Sequence, residues 1–125
     1  YIKYFSSIDQ LKTKKYDIVC FNSSIQYLEN YKEEIIKLKK FNPKYIIITR
    51  SVFQNEKKDY YTLETSVKGK YHPYIFFSYK KFINFLSTNK YKLIFCNKYN
   101  RNRYKHKSIK GKNFCHMDLL FVKNK

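Results

Sequence analysis

Alanine and tryptophan are absent from this chain of 125 residues, and glycine and proline occur twice each. Two isolated glycines leave no glycine-rich turn of the kind that lets a backbone close on a bound nucleotide. Acids are scarce as well, with nine Asp and Glu against 27 Lys and Arg, for a formal charge of +18. No apolar run approaches the ~20 residues that a membrane-spanning helix needs, and no secretory leader pattern is present. Cys20, Cys96 and Cys115 are odd in number and form no CxxC pair. Each lies in or beside an apolar run, so they read as reduced, mostly buried thiols in a cytoplasmic protein. A zinc site from Cys96, Cys115 and His116 fits no metal-ligand spacing, and no metal is expected.

Hydrophobic residues make up 43% of the chain and aromatics 20%. That is too apolar for a disordered tail and enough for one core, so residues 1–125 read as a single domain. The chain opens at Tyr1 without an initiator Met, which reads as a piece of something longer. Of the 27 basic residues, 24 are Lys, alongside abundant Asn, Ile, Tyr and Phe. That profile points to AT-rich coding as the main source of the charge. A polyanionic partner is the alternative, although a dedicated phosphate reader would favour the Arg fork.

Along the chain, Ile2–Phe5 reads as a short strand before a helical turn at Asp9–Thr13. Asp17–Phe21 is a continuous apolar run, the pattern of a strand buried on both faces. A helix follows over Leu28–Phe41, with Leu28, Tyr31, Ile35 and Leu38 on one face. Tyr45–Thr49 reads as a second buried strand. Residues 50–77 form a long polar and aromatic connection, which suggests a lid. Ser78 is placed to cap a helix over Tyr79–Ser87. Tyr91–Cys96 and Met117–Val122 read as the last strands, joined by Asn97–Asn113 with seven basic residues and no acid. This is an α/β order. It predicts Asp17–Phe21 and Tyr45–Thr49 as adjacent parallel strands, joined by the intervening helix.

The chain resembles a family of class I S-adenosylmethionine-dependent methyltransferases associated with bacterial surface-polysaccharide genes. The resemblance is densest at Asp17-Ile18-Val19 followed by Asn22-Ser23-Ser24-Ile25-Gln26-Tyr27-Leu28-Glu29. It continues through Pro43–Arg50, Phe53, Tyr71, Pro73 and Phe77-Ser78. It implies the C-terminal half of a Rossmann-like methyltransferase sheet, the equivalents of strands 3 to 7, with the last strand antiparallel. The family order is 3-2-1-4-5-7-6, on which Ile2–Phe5 is strand 3 and Asp17–Phe21 is strand 4. The glycine-rich turn and the acidic ribose ligand of that template fall before Tyr1. Glu64 stands where the family tends to have Gln.

The implied activity is methyl transfer from S-adenosylmethionine to a small-molecule or saccharide hydroxyl, with this fragment inactive alone. Ligands of such sheets sit beyond the carboxyl ends of the strands. Asn22 and Ser23, just beyond strand 4, are therefore candidates to hold the cofactor's methionine part; the alternative is a helix-capping turn. Ser6 and Ser7 are candidates to contact adenine, with an N-cap at Asp9 the simpler reading. Gln26, Tyr27 and Arg50 are candidate substrate contacts, against core packing for Tyr27 and a plain surface role for Arg50. His72 and His116 are the candidate general bases. Tyr99 and Tyr104, interleaved with Arg101, Arg103, Lys105 and Lys107, would suit nucleic acid, but a solvated loop is the favoured reading. The rival functions are thus a nucleic-acid-binding module or RNA methyltransferase, and a non-enzymatic interaction domain. The apolar edge of Asp17–Phe21 needs a partner strand: Ile2–Phe5, a second copy in a dimer, or a preceding segment.

Overall fold

Branched and aromatic side chains concentrate in six stretches, and each is a strand in the computed structural model, which describes residues 4, 8–12, 15–99 and 114–124. The order is β1 (Ile18–Asn22), α1 (Tyr31–Leu38), β2 (Tyr45–Gln54), β3 (Tyr60–Val67), β4 (Lys70–Ser78), α2 (Tyr79–Thr88), β5 (Tyr91–Tyr99) and β6 (Phe114–Lys123). Single 3₁₀ turns occur at Ile8–Gln10, Ile25–Tyr27 and Lys39–Phe41. Among the described residues, no helix is long and apolar enough to cross a membrane.

Both helices are amphipathic, and both pack on the same core. In α1, Tyr31, Ile35 and Leu38 are buried, and Glu33 and Glu34 lie in the first turn with Lys37 in the last. Acids early and bases late suit the helix dipole. Leu28, expected on the helix face, precedes α1 and packs against the core from outside it. Ser78 caps α2, its hydroxyl accepting from the Lys81 amide at 3.4 Å, while Phe82 and Leu86 point inward. The helix stops at Lys90, which takes a left-handed φ of 69° and donates its amide to the Ser87 carbonyl at 2.9 Å. A side chain in that conformation costs about 1–2 kcal/mol, which glycine avoids. Lys90→Gly is expected to raise stability by about 0.5–1 kcal/mol, after the entropic penalty of glycine in the unfolded chain. Urea midpoints of the two proteins measure it.

The six strands form one mixed sheet. β1 lies parallel to β2, with Ile18 opposite Tyr45 and Asn22 opposite Thr49. The last two residues of β2 then pair in parallel with β4, at Phe53–Phe77 and Gln54–Ser78. β6 runs antiparallel along the other edge of β2, and β5 antiparallel to β6. β3 and β4 make an antiparallel hairpin. Antiparallel pairings therefore outnumber parallel ones, which corrects the expectation of a parallel sheet with only its last strand reversed. The parallel pairing of Asp17–Phe21 with Tyr45–Thr49, with α1 between them in sequence, is as expected.

Three further expectations need correction. Residues 50–77 are not a lid: β2 runs on to Gln54 and the remainder is the β3–β4 hairpin, turning at Gly69 with φ 79°. β1 is not buried on both faces; its residues alternate between exposed and half-buried because the sheet's covered side is reached only by Val19 and Phe21. Cys20 consequently lies exposed instead of buried, whereas Cys96 and Cys115 are half-buried. The expected strand at Ile2–Phe5 lies outside the described residues except for Tyr4, which is exposed. Among the described residues, β1 has no partner strand besides β2.

The core is aromatic. Tyr31, Phe53, Phe77, Phe82 and Phe121 are buried with Ile46, Ile48, Leu119 and the α-helical Ile35 and Leu86. A smaller cluster of Val52, Tyr74 and Phe76 lies beneath the hairpin.

Candidate functional site

β1 ends at Asn22, opposite Thr49 of its parallel neighbour β2, and the backbone of each strand bends just after this pair. Ser23, directly after β1, has φ 51°, and Arg50, at a bulge in β2, has φ 57°. Left-handed backbone at a residue with a side chain is strained, so neighbouring bonds must hold it. The Ser23 amide donates to the Thr49 carbonyl at 3.0 Å, and the Thr49 hydroxyl to Asn22 Oδ1 at 2.9 Å. The Arg50 amide donates to Asp118 Oδ1 at 2.8 Å, and the Tyr99 hydroxyl reaches the same oxygen at 3.1 Å. Asp118 on β6 thus replaces the ladder acceptor that the bulge removes.

A polar cleft opens where these two bends meet the hairpin. Its floor is Gln26, 1% exposed, whose amide nitrogen donates to Ser23 Oγ at 3.3 Å and whose oxygen accepts from the buried Ser51 hydroxyl at 3.1 Å. Neither amide atom is left without a partner, which is why a buried glutamine is tolerated there. One wall is Tyr27, which donates to Glu64 Oε2 at 2.8 Å and packs edge-to-face on Tyr74 at 5.3 Å. The exposed Arg50 and the buried His116, whose ring stacks on Tyr99 at 5.8 Å, also line the cleft. The enclosed part is about 50 Å³, room for a few water-sized groups.

Five candidates named from the sequence meet in this cleft: Ser23, Gln26, Tyr27, Arg50 and His116. Asn22 stands beside it, but its side-chain oxygen is engaged by Thr49. His72 is exposed on β4, directly across from Glu64 and outside the cleft lining. Ser6 and Ser7 lie outside the described residues, as do residues 100–113 of the basic segment. Tyr99, grouped with that segment from the sequence, belongs to β5 and faces Asp118 and His116. Sequence reasoning missed Ser51, Tyr74 and Asp118. A lone acid within the apolar run Met117–Val122 was the available signal for Asp118.

Glu64 and His116 are the cleft's side chains suited to accept a proton from a hydroxyl, and Arg50 is its cation. Among the described residues, no three His, Cys, Asp or Glu side chains group to hold a metal ion. No family model and no curated protein matches this sequence.

Proposed function

We propose that this chain is the acceptor-binding half of a Rossmann-like, S-adenosylmethionine-dependent methyltransferase that acts on a small hydroxylated molecule. The observation that carries this reading is the spatial order β1-β2-β6-β5, in which only β6 is reversed. It corresponds to 4-5-7-6 in the family template, and the cleft lies just beyond the carboxyl end of β1, beside the bulge in β2, on the side where such sheets hold ligands. The side of the sheet that no helix covers among the described residues also supports it. Tyr31 of α1 stacks on Phe82 of α2, so both helices occupy one face. The other face presents Ile18, Tyr45, Ile47, Leu120, Val122 and Phe95, with Ile18 and Phe95 more than half exposed. A doubly wound sheet carries helices on both faces, and an apolar face of this kind is what the second layer would cover.

The described residues do not fit the cofactor itself. The cleft, at about 50 Å³, is small for a nucleoside sulfonium, and the Gln26 amide and the Asn22 side-chain oxygen are already engaged. They fit the acceptor's side of the reaction. Arg50 and Glu64 orient a small polar molecule, the Tyr27–Tyr74 wall limits its size, and His116 or Glu64 removes the hydroxyl proton. Proton removal by a positioned base typically contributes 10²–10⁴-fold to rate.

Two measurements test the assignment. The 125-residue chain alone is expected to give no saturable S-adenosylmethionine binding in the micromolar range by calorimetry. The protein expressed from the complete reading frame that contains these residues is expected to transfer label from methyl-labelled S-adenosylmethionine to hydroxylated acceptors, with His116→Ala lowering the rate at least ~100-fold if His116 is the base. Tight binding by the short chain would move the cofactor site into these residues. Absence of any transfer by the complete protein would end the methyltransferase reading.

A further inference from the structure

We propose that the ligand of this cleft is a small hydroxy acid, its carboxylate on Arg50 and its hydroxyl on Glu64. The inference rests on placing the acceptor in the cleft, and it goes further by fixing the acceptor's charge. Arg50 is exposed, lines the cleft, and forms no ion pair among the described residues. The Asp118 carboxylate receives the Arg50 backbone amide and the Tyr99 hydroxyl on Oδ1, and it makes no ion pair with the guanidinium. Those same bonds fix the left-handed backbone from which the guanidinium projects. An arginine whose main chain is clamped while its fork stays open suits bidentate capture of a planar carboxylate.

Glu64 lines the same cleft. One of its oxygens accepts from Tyr27 at 2.8 Å. An ionised carboxylate has about four acceptor sites, so it retains capacity for a ligand hydroxyl. Opposite charges lining one cleft make it selective. A neutral polyol leaves Arg50 unmatched, and a carboxylate without a hydroxyl leaves Glu64 facing an anion with nothing to bridge them. A molecule carrying both groups satisfies both side chains, and the enclosed volume of about 50 Å³ keeps it small.

Glycerate, glycerol and propionate separate these contributions, because each lacks or keeps one function. Titration of the ¹⁵N-labelled 125-residue chain at moderate salt reads the amides of Ser23, Arg50, Glu64 and His116. Glycerate is expected to shift them saturably and to bind about tenfold or more tightly than either glycerol or propionate. Arg50→Gln should reduce glycerate to the glycerol level, and Arg50→Lys should restore part of the difference. Equal binding of propionate would show general attraction to a +18 protein and overturn the proposal. So would equal binding of glycerol, indifference to Arg50→Gln, or tighter binding of alanine, which would give Glu64 an ammonium partner instead. The titration contains no S-adenosylmethionine, so the two readings fail separately. Glycerate binding without methyl transfer by the complete protein sinks only the reaction class, and methylation of neutral acceptors alone sinks only the hydroxy-acid assignment.

Discussion

Asp59→Ala is expected to destabilise the fold by about 3–5 kcal/mol, because it removes a buried carboxylate that three elements share. The Asp59 side chain is 1% exposed. It accepts the Ser78 amide at 2.8 Å and the Tyr31 hydroxyl at 3.1 Å, and it pairs with Lys81 at 3.3 Å. It thereby ties the start of α1 and the start of α2 to the turn before β3, with its charge at the positive end of α2. The contributions are unequal. Lys81 has a side chain 42% exposed and regains water when its partner goes. The Ser78 amide and the Tyr31 hydroxyl do not, and each orphaned donor costs about 1–3 kcal/mol. Asp59→Asn keeps an oxygen for the Ser78 amide, so it should cost about half as much. Urea unfolding of the three proteins distinguishes these values. A loss below about 1 kcal/mol for the Ala variant would show that water replaces the carboxylate.

The same contact gives the protein an alkaline limit. Burial first, and then the charge of Asp59, push the Tyr31 hydroxyl far above the usual tyrosine range. The folded state therefore holds this proton more tightly than the unfolded chain does. Its contribution is fully present below about pH 10 and declines above it, by up to about 1.4 kcal/mol per pH unit. Tyr31→Phe should flatten that part of the stability profile.

What could be read from the sequence depended on whether the deciding partner was near in the chain. β1, β2 and the helix between them were legible because their apolar spacing is local and each run has one consistent period. Ser78 was legible as a cap for the same reason. The cleft was largely legible because Ser23, Gln26 and Tyr27 follow β1 directly, Arg50 follows the regular part of β2, and both strands point the same way. The hairpin was not, and its alternation explains why. In β3 the inward positions are Tyr60, Thr62 and Glu64, whereas Tyr61 and Leu63 face solvent at 52% and 67% exposure. Polarity is thus inverted relative to an ordinary half-buried strand, so the period-two signal pointed nowhere. β1 misled in the opposite sense. An apolar run reports what a strand is suited to contact, and Ile18 at 55% exposure lies on the sheet face away from the helices. Asp118 escaped notice because its partner, the amide of Arg50, is 68 residues away and becomes needy only through a bulge.

Phe82→Ala is the core substitution expected to cost most, about 3–5 kcal/mol, against less than about 1.5 kcal/mol for Phe82→Leu. Phe82 is fully buried on α2. Its ring stacks on Tyr31 at 5.7 Å, meets Phe53 edge-on at 5.3 Å, and lies against Phe77 at 5.1 Å and Phe121 at 6.4 Å. Those four partners belong to α1, β2, β4 and β6, so the ring packs one helix against three strands of the sheet. Neighbours that are themselves rings in regular elements have few ways to move into the space, and a residual cavity adds to the lost transfer energy. Leucine fills much of that space and forfeits chiefly the ring-to-ring geometry, worth about 0.5–1.5 kcal/mol per pair. Tyr31 is held by Phe82 through its ring and by Asp59 through its hydroxyl, so the two losses should not add. In the Phe82→Ala background Tyr31 is freer to turn toward solvent, and Asp59→Ala should then cost at least about 0.5 kcal/mol less than it does alone. A double-mutant cycle by urea unfolding measures that difference. Full additivity would mean that Tyr31 is anchored elsewhere and that the carboxylate and the aromatic cluster stabilise the fold independently.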